Sequence, residues 1–349
     1  MAKPWKIPNF EPRESLASCV GKILRTRYRE TFSREHGALA GADVEALHDM
    51  RVSARRLKAM MKVFRHAFPK RKFRAQYEWI GDLVRALGAV RDCDVFIGLL
   101  EEQKGSIAPR GRRSIDLLIA RQKTVRSREQ RSLHRFIRQL HSRHAAQEFR
   151  QFVSKAGGRP LNAGSDDSSE TFAEAVRKIV PPMYDQFLSR AGTVMDHPRL
   201  TGELHKMRIE GKPLRYVMEL LEDRFEPPFD KCLKEIKNLI ELMGTIHDCD
   251  VMIPRLRNHL QEMRSFNKGA EGSDGKFSNS GILELIRRQR VQRQASFQML
   301  CRTLKAWKSE KFREKLIHSM RLIQYPITHH HLKLLSTHGN IHTATRTGS

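Results

Sequence analysis

No stretch of this sequence approaches the ~20 consecutive apolar residues that a membrane-spanning helix needs, so none is expected. Its five cysteines (Cys19, Cys93, Cys232, Cys249, Cys301) are odd in number and form no CxxC pair. That argues against a disulfide framework or a cysteine-rich zinc module, and it makes a reducing cytosol the natural compartment. The opening MAKPWKIPNF has no apolar run behind its lysines, so it does not read as a secretory signal. Aromatic residues are only 7% of the chain, which leaves little material for stacking nucleic-acid bases. Acids are also scarce, 39 against 65 Lys plus Arg. The GxxxxGK[ST], HExxH and GxSxG patterns are missing, as is a GxGxxG placed after a strand. Nothing nominates an enzyme or a resident cofactor, and a binding protein is the expectation.

What remains is 349 residues with a net charge of +26, of which 39% are hydrophobic. That apolar content suffices for a packed core. The charge repels itself and calls for an anion, whether nucleic acid, polyphosphate, an acidic membrane surface or an acidic protein. Apolar residues recur at spacings of three and four throughout, and no segment alternates like a half-buried strand. The chain is therefore expected to be all-α. Helices are predicted over 12–36, 43–68, 71–103, 109–154, 170–190, 202–223, 229–264, 281–308 and 310–323. Asp43 is the expected N-cap of the second, and Pro69 lies at its end. The Gly/Ser/Asp-rich 156–169 reads as a linker between a first unit (1–155) and a second (170–325). The segment 265–280 reads as another loop, and the His-rich 326–349 as a loose tail.

The strongest signal is an internal repeat. LHDMRVSARRLK at 47–58 recurs as LHKMRIEGKPLR at 204–215, and LGAVRDCDVFI at 87–97 recurs as MGTIHDCDVMI at 243–253. The offsets, 157 and 156 residues, agree almost in register. On a helical wheel at ~100° per residue with His48 at zero, Arg51, Arg55, Lys58 and Lys62 fall between about 280° and 340°. The apolar Leu47, Met50, Ala54, Leu57, Met61 and Phe64 fall between about 160° and 260°. A cationic stripe thus flanks an apolar one. His205, Arg208, Lys212 and Arg215 repeat the stripe, which ends where Glu219 replaces Lys62. Like charges three and four apart destabilise a helix by a few tenths of a kcal/mol per pair, approximately. Two such stripes imply a polyanion that relieves the repulsion. A solvated face beside a core is the blander alternative.

Residues 110–150 add twelve cations against three acids. Arg121, in RQK, has an echo in Arg288, in RQR, and both are candidates to line a shared positive cleft. Asp92 and Asp94 recur as Asp248 and Asp250. On a helix the two carboxylates of each pair point ~200° apart, which disfavours a shared metal ion. One of each pair is expected to orient an arginine. His48 and His205 lack cysteine or acidic partners at ligand spacing, so contact with an anion or a structural hydrogen bond is the expectation rather than zinc.

These residues resemble the CHAD family, the conserved histidine α-helical domain, over about residues 12–323. The resemblance implies two four-helix bundles related by a pseudo-twofold axis around a basic central channel. It also implies binding of inorganic polyphosphate and association with polyphosphate granules. His48, Arg51, Arg55, Arg56 and Lys58 match the first motif, and His205, Arg208, Lys212 and Arg215 the second. Pro213 stands where the first copy has Arg56, which predicts a kink. Nucleic-acid binding is the second reading, although neither stripe has interleaved aromatics and no helix-turn-helix signature is present. A phosphohydrolase or phosphotransferase using His48 or His205 is a third.

Overall fold

The computed structural model describes residues 3–154, 170–269 and 276–323. The expected 156–169 linker, residues 270–275 of the expected 265–280 loop and the 326–349 tail, with His329, His330 and His331, lie outside the described residues, while 265–269, read as loop, are helical. The described chain is all-α and contains no β-strand. The first repeat forms α1 (Leu16–Phe32), α2 (Glu35–Ala40), α3 (Val44–Val63), α4 (Lys70–Lys104), α5 (Pro109–Ser142) and α6 (Ala145–Ser154). The second forms α7 (Phe172–Leu188), α8 (Ala191–Asp196), α9 (Thr201–Glu219), α10 (Pro227–Gly269), α11 (Ser280–Ser309) and α12 (Phe312–His318). Among the described residues each repeat therefore has four long helices and two short ones in the same order.

Local chemistry explains most of these boundaries. Asp43 caps α3 by accepting from the backbone N–H groups of Glu45 and Ala46, each at 2.9 Å. Thr171 and Glu174 form a reciprocal capping box at the start of α7. The expected single helix over 109–154 is instead two. His144 takes a left-handed conformation (φ 51°) that ends the α5 path and lets α6 turn back. The short α2 and α8 were also not anticipated: each leads into its repeat's motif helix. Pro213 does not end α9, which runs unbroken from Thr201 to Glu219.

The packing is the same in both repeats. α1 and α7 pack on α3 and α9 respectively, α3 and α9 on α4 and α10, and α4 and α10 on α5 and α11. Between repeats, like packs on like: α1 on α7, α3 on α9 and α5 on α11. Ser15 and Thr171 pair through their backbones where α1 and α7 begin. Gly111 and Gly281 meet where α5 and α11 begin. A Cβ on Gly281 would lie 2.4 Å from the Gly111 carbonyl oxygen, so only glycine permits this approach. The largest apolar core joins Leu57 and Met60 of α3, and Phe64 just after it, to Phe172 and Val176 of α7 and to Leu214 and Met218 of α9. A second core joins Phe96 and Leu100 of α4 and Leu118 of α5 to Leu256 of α10 and Leu285 of α11. A third, around Met50, Leu87 and Leu133, belongs to the first repeat alone. With two of its cores spanning both repeats, the chain brings α3 and α9 together at its centre.

Candidate functional site: a cation cluster between the repeated helices

Because α3 and α9 pack together, their two cationic stripes become one cluster. Arg55 has Arg208 and Lys212 of α9 as charged neighbours and Arg51 of its own helix. Arg51, Arg55, Arg208 and Lys212 are all half-buried. Burial, followed by the Arg55 charge, lowers the pKa of Arg51 and of Arg208. The same two causes push the Lys212 ammonium down to about 6. Such shifts mark a site where positive charge is held against its own repulsion.

The downstream repeat block builds the wall behind these cations. Arg51 lies against Gly88, and its guanidinium is 3.7 Å from the Asp92 carboxylate. Arg208 lies against Gly244, with Asp248 as its acidic neighbour. The two repeated blocks therefore meet in each half, and the glycine leaves room for the guanidinium. The Nε atoms of Arg51 and Arg208 and the Nδ1 of His48 are buried and find no hydrogen-bond partner among the described residues. Asp94 and Asp250 point elsewhere. Each takes an arginine of the next helix at 2.5 Å, Arg126 and Arg293 respectively. Those arginines also donate to the carbonyls of Gly41 and Pro198, ahead of the motif helices. The two carboxylates of each DCD block thus serve different arginines, as their angular separation predicts.

Lys58 extends the first stripe. Its ammonium sits 5.1 Å from the centre of the Tyr77 ring, and its charged neighbours are Arg85 and the exposed Lys62. Arg91 neighbours His48, whose pKa is lowered by burial and then by that cation. In the second repeat the position of Arg91 is taken by His247. Its Nδ1 lies 3.3 Å from Nδ1 of His205. Sequence reasoning missed Arg85, Arg91 and His247. The last two occupy matching positions in the repeated blocks, which was the available signal.

Four expected site residues are held by protein side chains instead. Arg56 is buried where α3 meets α9, 3.9 Å from Glu30 and 3.6 Å from Glu219, with its guanidinium 5.7 Å from the Tyr216 ring. Arg215 is buried too, donating to Glu219 at 2.7 Å. Arg27 pairs with Glu30 in the same network. Glu219, which breaks the sequence stripe, is thus the counterion of both Arg56 and Arg215. These two arginines are buried in the interface between repeats, against Glu219. Arg121 pairs with Glu262 at 2.5 Å beside a cavity of about 230 Å³ that Arg255 and His259 also line. Arg288 bonds Glu284 at 2.8 Å and the Ser106 hydroxyl at 2.6 Å, in the turn after α4. Both are engaged by protein groups away from the α3–α9 contact. The basic run on α5 forms an outer face, where Arg128, Arg131, His134, Arg135 and Arg138 line a cavity of about 590 Å³.

All five cysteines are free, and Cys93 and Cys249 are buried fillers between the paired acids. Among the described residues no three His, Cys, Asp or Glu side chains gather as a metal would require. Nor, among them, is any helix long and apolar enough to cross a membrane.

The chain belongs to the CHAD domain family, whose model matches residues 22–257, from α1 into α10. Its fold is similar to the crystal structure of the CHAD domain from the plant Ricinus communis. The TM-score is 0.57 at 21% identity, with 93% of this chain and 98% of that one covered. It is also similar to PptA from Streptomyces chartreusis, with a TM-score of 0.60 at 14% identity, covering 84% of this chain and 100% of that one. No curated protein matches.

Proposed function

We propose that this protein binds inorganic polyphosphate, without chemistry, along the cation cluster where α3 and α9 meet. The observation that carries this reading is the group Arg51, Arg55, Arg208 and Lys212. They are half-buried mutual neighbours from two helices, with the exposed Asp92 and Asp248 as the acids that face them. An anionic chain threaded there replaces repulsion with attraction. The guanidinium groups contribute forked contacts to phosphoryl oxygens, and Lys212 and Lys58 contribute point charges. The like-on-like packing of α1, α3 and α5 against α7, α9 and α11 supports an approximate twofold relation between two bundles. On that arrangement the two motif helices line one basic channel, and one polymer contacts both. Membership of the CHAD domain family supports the ligand class, and association with polyphosphate granules follows from it.

Nucleic acid suits the net charge equally but not the site. Tyr77 and Tyr216 are aromatic residues beside the motif helices, and each ring has a cation of the chain over it, Lys58 and Arg56. A stacking base would have to compete with those cations for the ring. Competition separates the readings. Labelled long-chain polyphosphate should remain bound when duplex or single-stranded DNA is added at equal phosphate concentration. By analogy with counterion release, its affinity should fall ~10³-fold or more between 50 and 200 mM salt. Displacement by either nucleic acid at parity would overturn the selective reading.

A further inference from the structure

The two walls of the cluster differ in one chemical respect. The first repeat supplies Arg51, Arg55 and Arg91. At the equivalent positions the second supplies Arg208, Lys212 and His247. Two of three permanently charged guanidiniums are replaced by groups that release protons far more readily. His205 and His247 are also in contact, with Nδ1 atoms 3.3 Å apart and ring centres 4.5 Å apart. Two N–H groups facing each other at that distance repel, so at most one proton lies between the rings.

The surroundings are strongly one-sided. From α9, Arg208 and Lys212 face the histidine pair, and from α3, Arg55 does so. Arg51 of α3 faces Lys212 as well. The opposing acids are Asp248 of α10, which faces Arg208 and Lys212, and Asp92 of α4, which faces Asp248 and Arg51. Asp250 of α10 is already taken by Arg293 of α11.

Resting on the polyphosphate reading of this site, we infer that the second-repeat wall takes up protons when the polyanion binds, at Lys212 and at the His205–His247 pair, while Arg51, Arg55 and Arg91 of the first wall do not, which leaves His48, beside Arg91, as that wall's counterpart of His205. Affinity therefore rises as pH falls. Burial and then Arg55 hold the free Lys212 at about 6, and burial and then Arg208 hold His247 at about 4. His205 is also lowered, by burial and then by Arg208. A base with a depressed pKa is neutral above that value. A neighbouring anion favours its charged form and restores the proton. For Lys212 the window of uptake runs from about 6 up toward the ordinary ~10.4, and for His247 from about 4 up toward ~6.5. Uptake near pH 7.5 thus belongs to Lys212, and near pH 5.5 the histidines contribute. By linkage, each proton taken up steepens the dependence by about tenfold in affinity per pH unit.

Calorimetric titration with long-chain polyphosphate, at pH 7.5 and 5.5 and in buffers of different ionisation enthalpy, counts these protons. The full-length protein should show an observed enthalpy that varies with the buffer, approaching one proton per bound site at pH 7.5. Lys212→Arg should abolish most of that uptake and bind on the order of tenfold or more tighter than the unaltered protein at pH 8, because no proton is then required. His247→Arg should reduce the uptake at pH 5.5 and leave that at pH 7.5. Terminal phosphates of the polymer contribute equally to all three proteins and cancel in the comparison. Binding with buffer-independent enthalpy at both pH values, or with uptake unchanged in both variants, overturns the proton linkage and leaves the polyphosphate reading standing. Absence of binding at every pH overturns both.

Discussion

Reversal of Arg51, Arg55 and Lys58 to glutamate should abolish polyphosphate binding and leave the protein folded. The three side chains lie along one face of α3, off the apolar stripe formed by Met50, Leu57 and Met61. Their charged neighbours are mostly cations: Arg208 and Lys212 beside Arg55, and Arg85 and Lys62 beside Lys58. Each new carboxylate thus enters positive surroundings, so the free protein gains attraction where it had repulsion. At ~8 Å and an effective dielectric near 20, one such pair amounts to on the order of 2 kcal/mol before screening. For the ligand the signs reverse, and the loss should be at least ~10³-fold. On the second wall the matching change is Arg208 and Lys212 to glutamate, without Arg215. Should the walls line one channel, either change alone cripples binding. Independent sites would instead leave half the stoichiometry at unchanged affinity. Circular dichroism and thermal unfolding verify that each variant is folded.

The second large effect concerns stability. Glu219→Ala should destabilise the protein by about 3–5 kcal/mol, because it strips a carboxylate from two buried cations. Arg56 and Arg215 each approach Glu219, and all three side chains are at most 7% exposed. Glu30 and Glu241 lie farther from them, at 3.9 and 4.0 Å. Arg56 and Glu219 belong to different repeats, so the loss should loosen the contact between α3 and α9. Polyphosphate affinity should then fall through weakened packing of the two walls. Denaturant unfolding measures the change. A loss below ~1 kcal/mol would show that the network contributes little to holding the repeats together.

Much of this molecule is legible in its sequence, for definite reasons. Spacings of three and four specify helices, and the doubled blocks around His48 and His205 specify two like halves. The wheel also separates Arg51, Arg55, Arg208 and Lys212 from the apolar positions. It treats α3 as having a single buried face, and there it fails. Val52, Ser53 and Arg56, which fall at about 40°, 140° and 80° on the same wheel, are buried as well. α3 is packed against α1, α4 and α9 at once, and no wheel of one helix shows what its neighbours bring. For that reason Arg56 and Arg215 resemble ligand contacts in the sequence and are interface ions in the structure. Glu219 looks like a defect in a stripe and is their counterion. Similarly, nothing in HSRHAAQ announces the left-handed His144 that divides α5 from α6, since glycine is absent there.

The central claim is that two repeats build one anion site. Calorimetric titration of the full-length protein with polyphosphates of defined, increasing length tests it most directly. One channel spanning both walls predicts one polymer bound per protein, with affinity that climbs with chain length and levels off once the chain reaches both walls. Two chains per protein at every length, or no detectable binding at low salt, would contradict it.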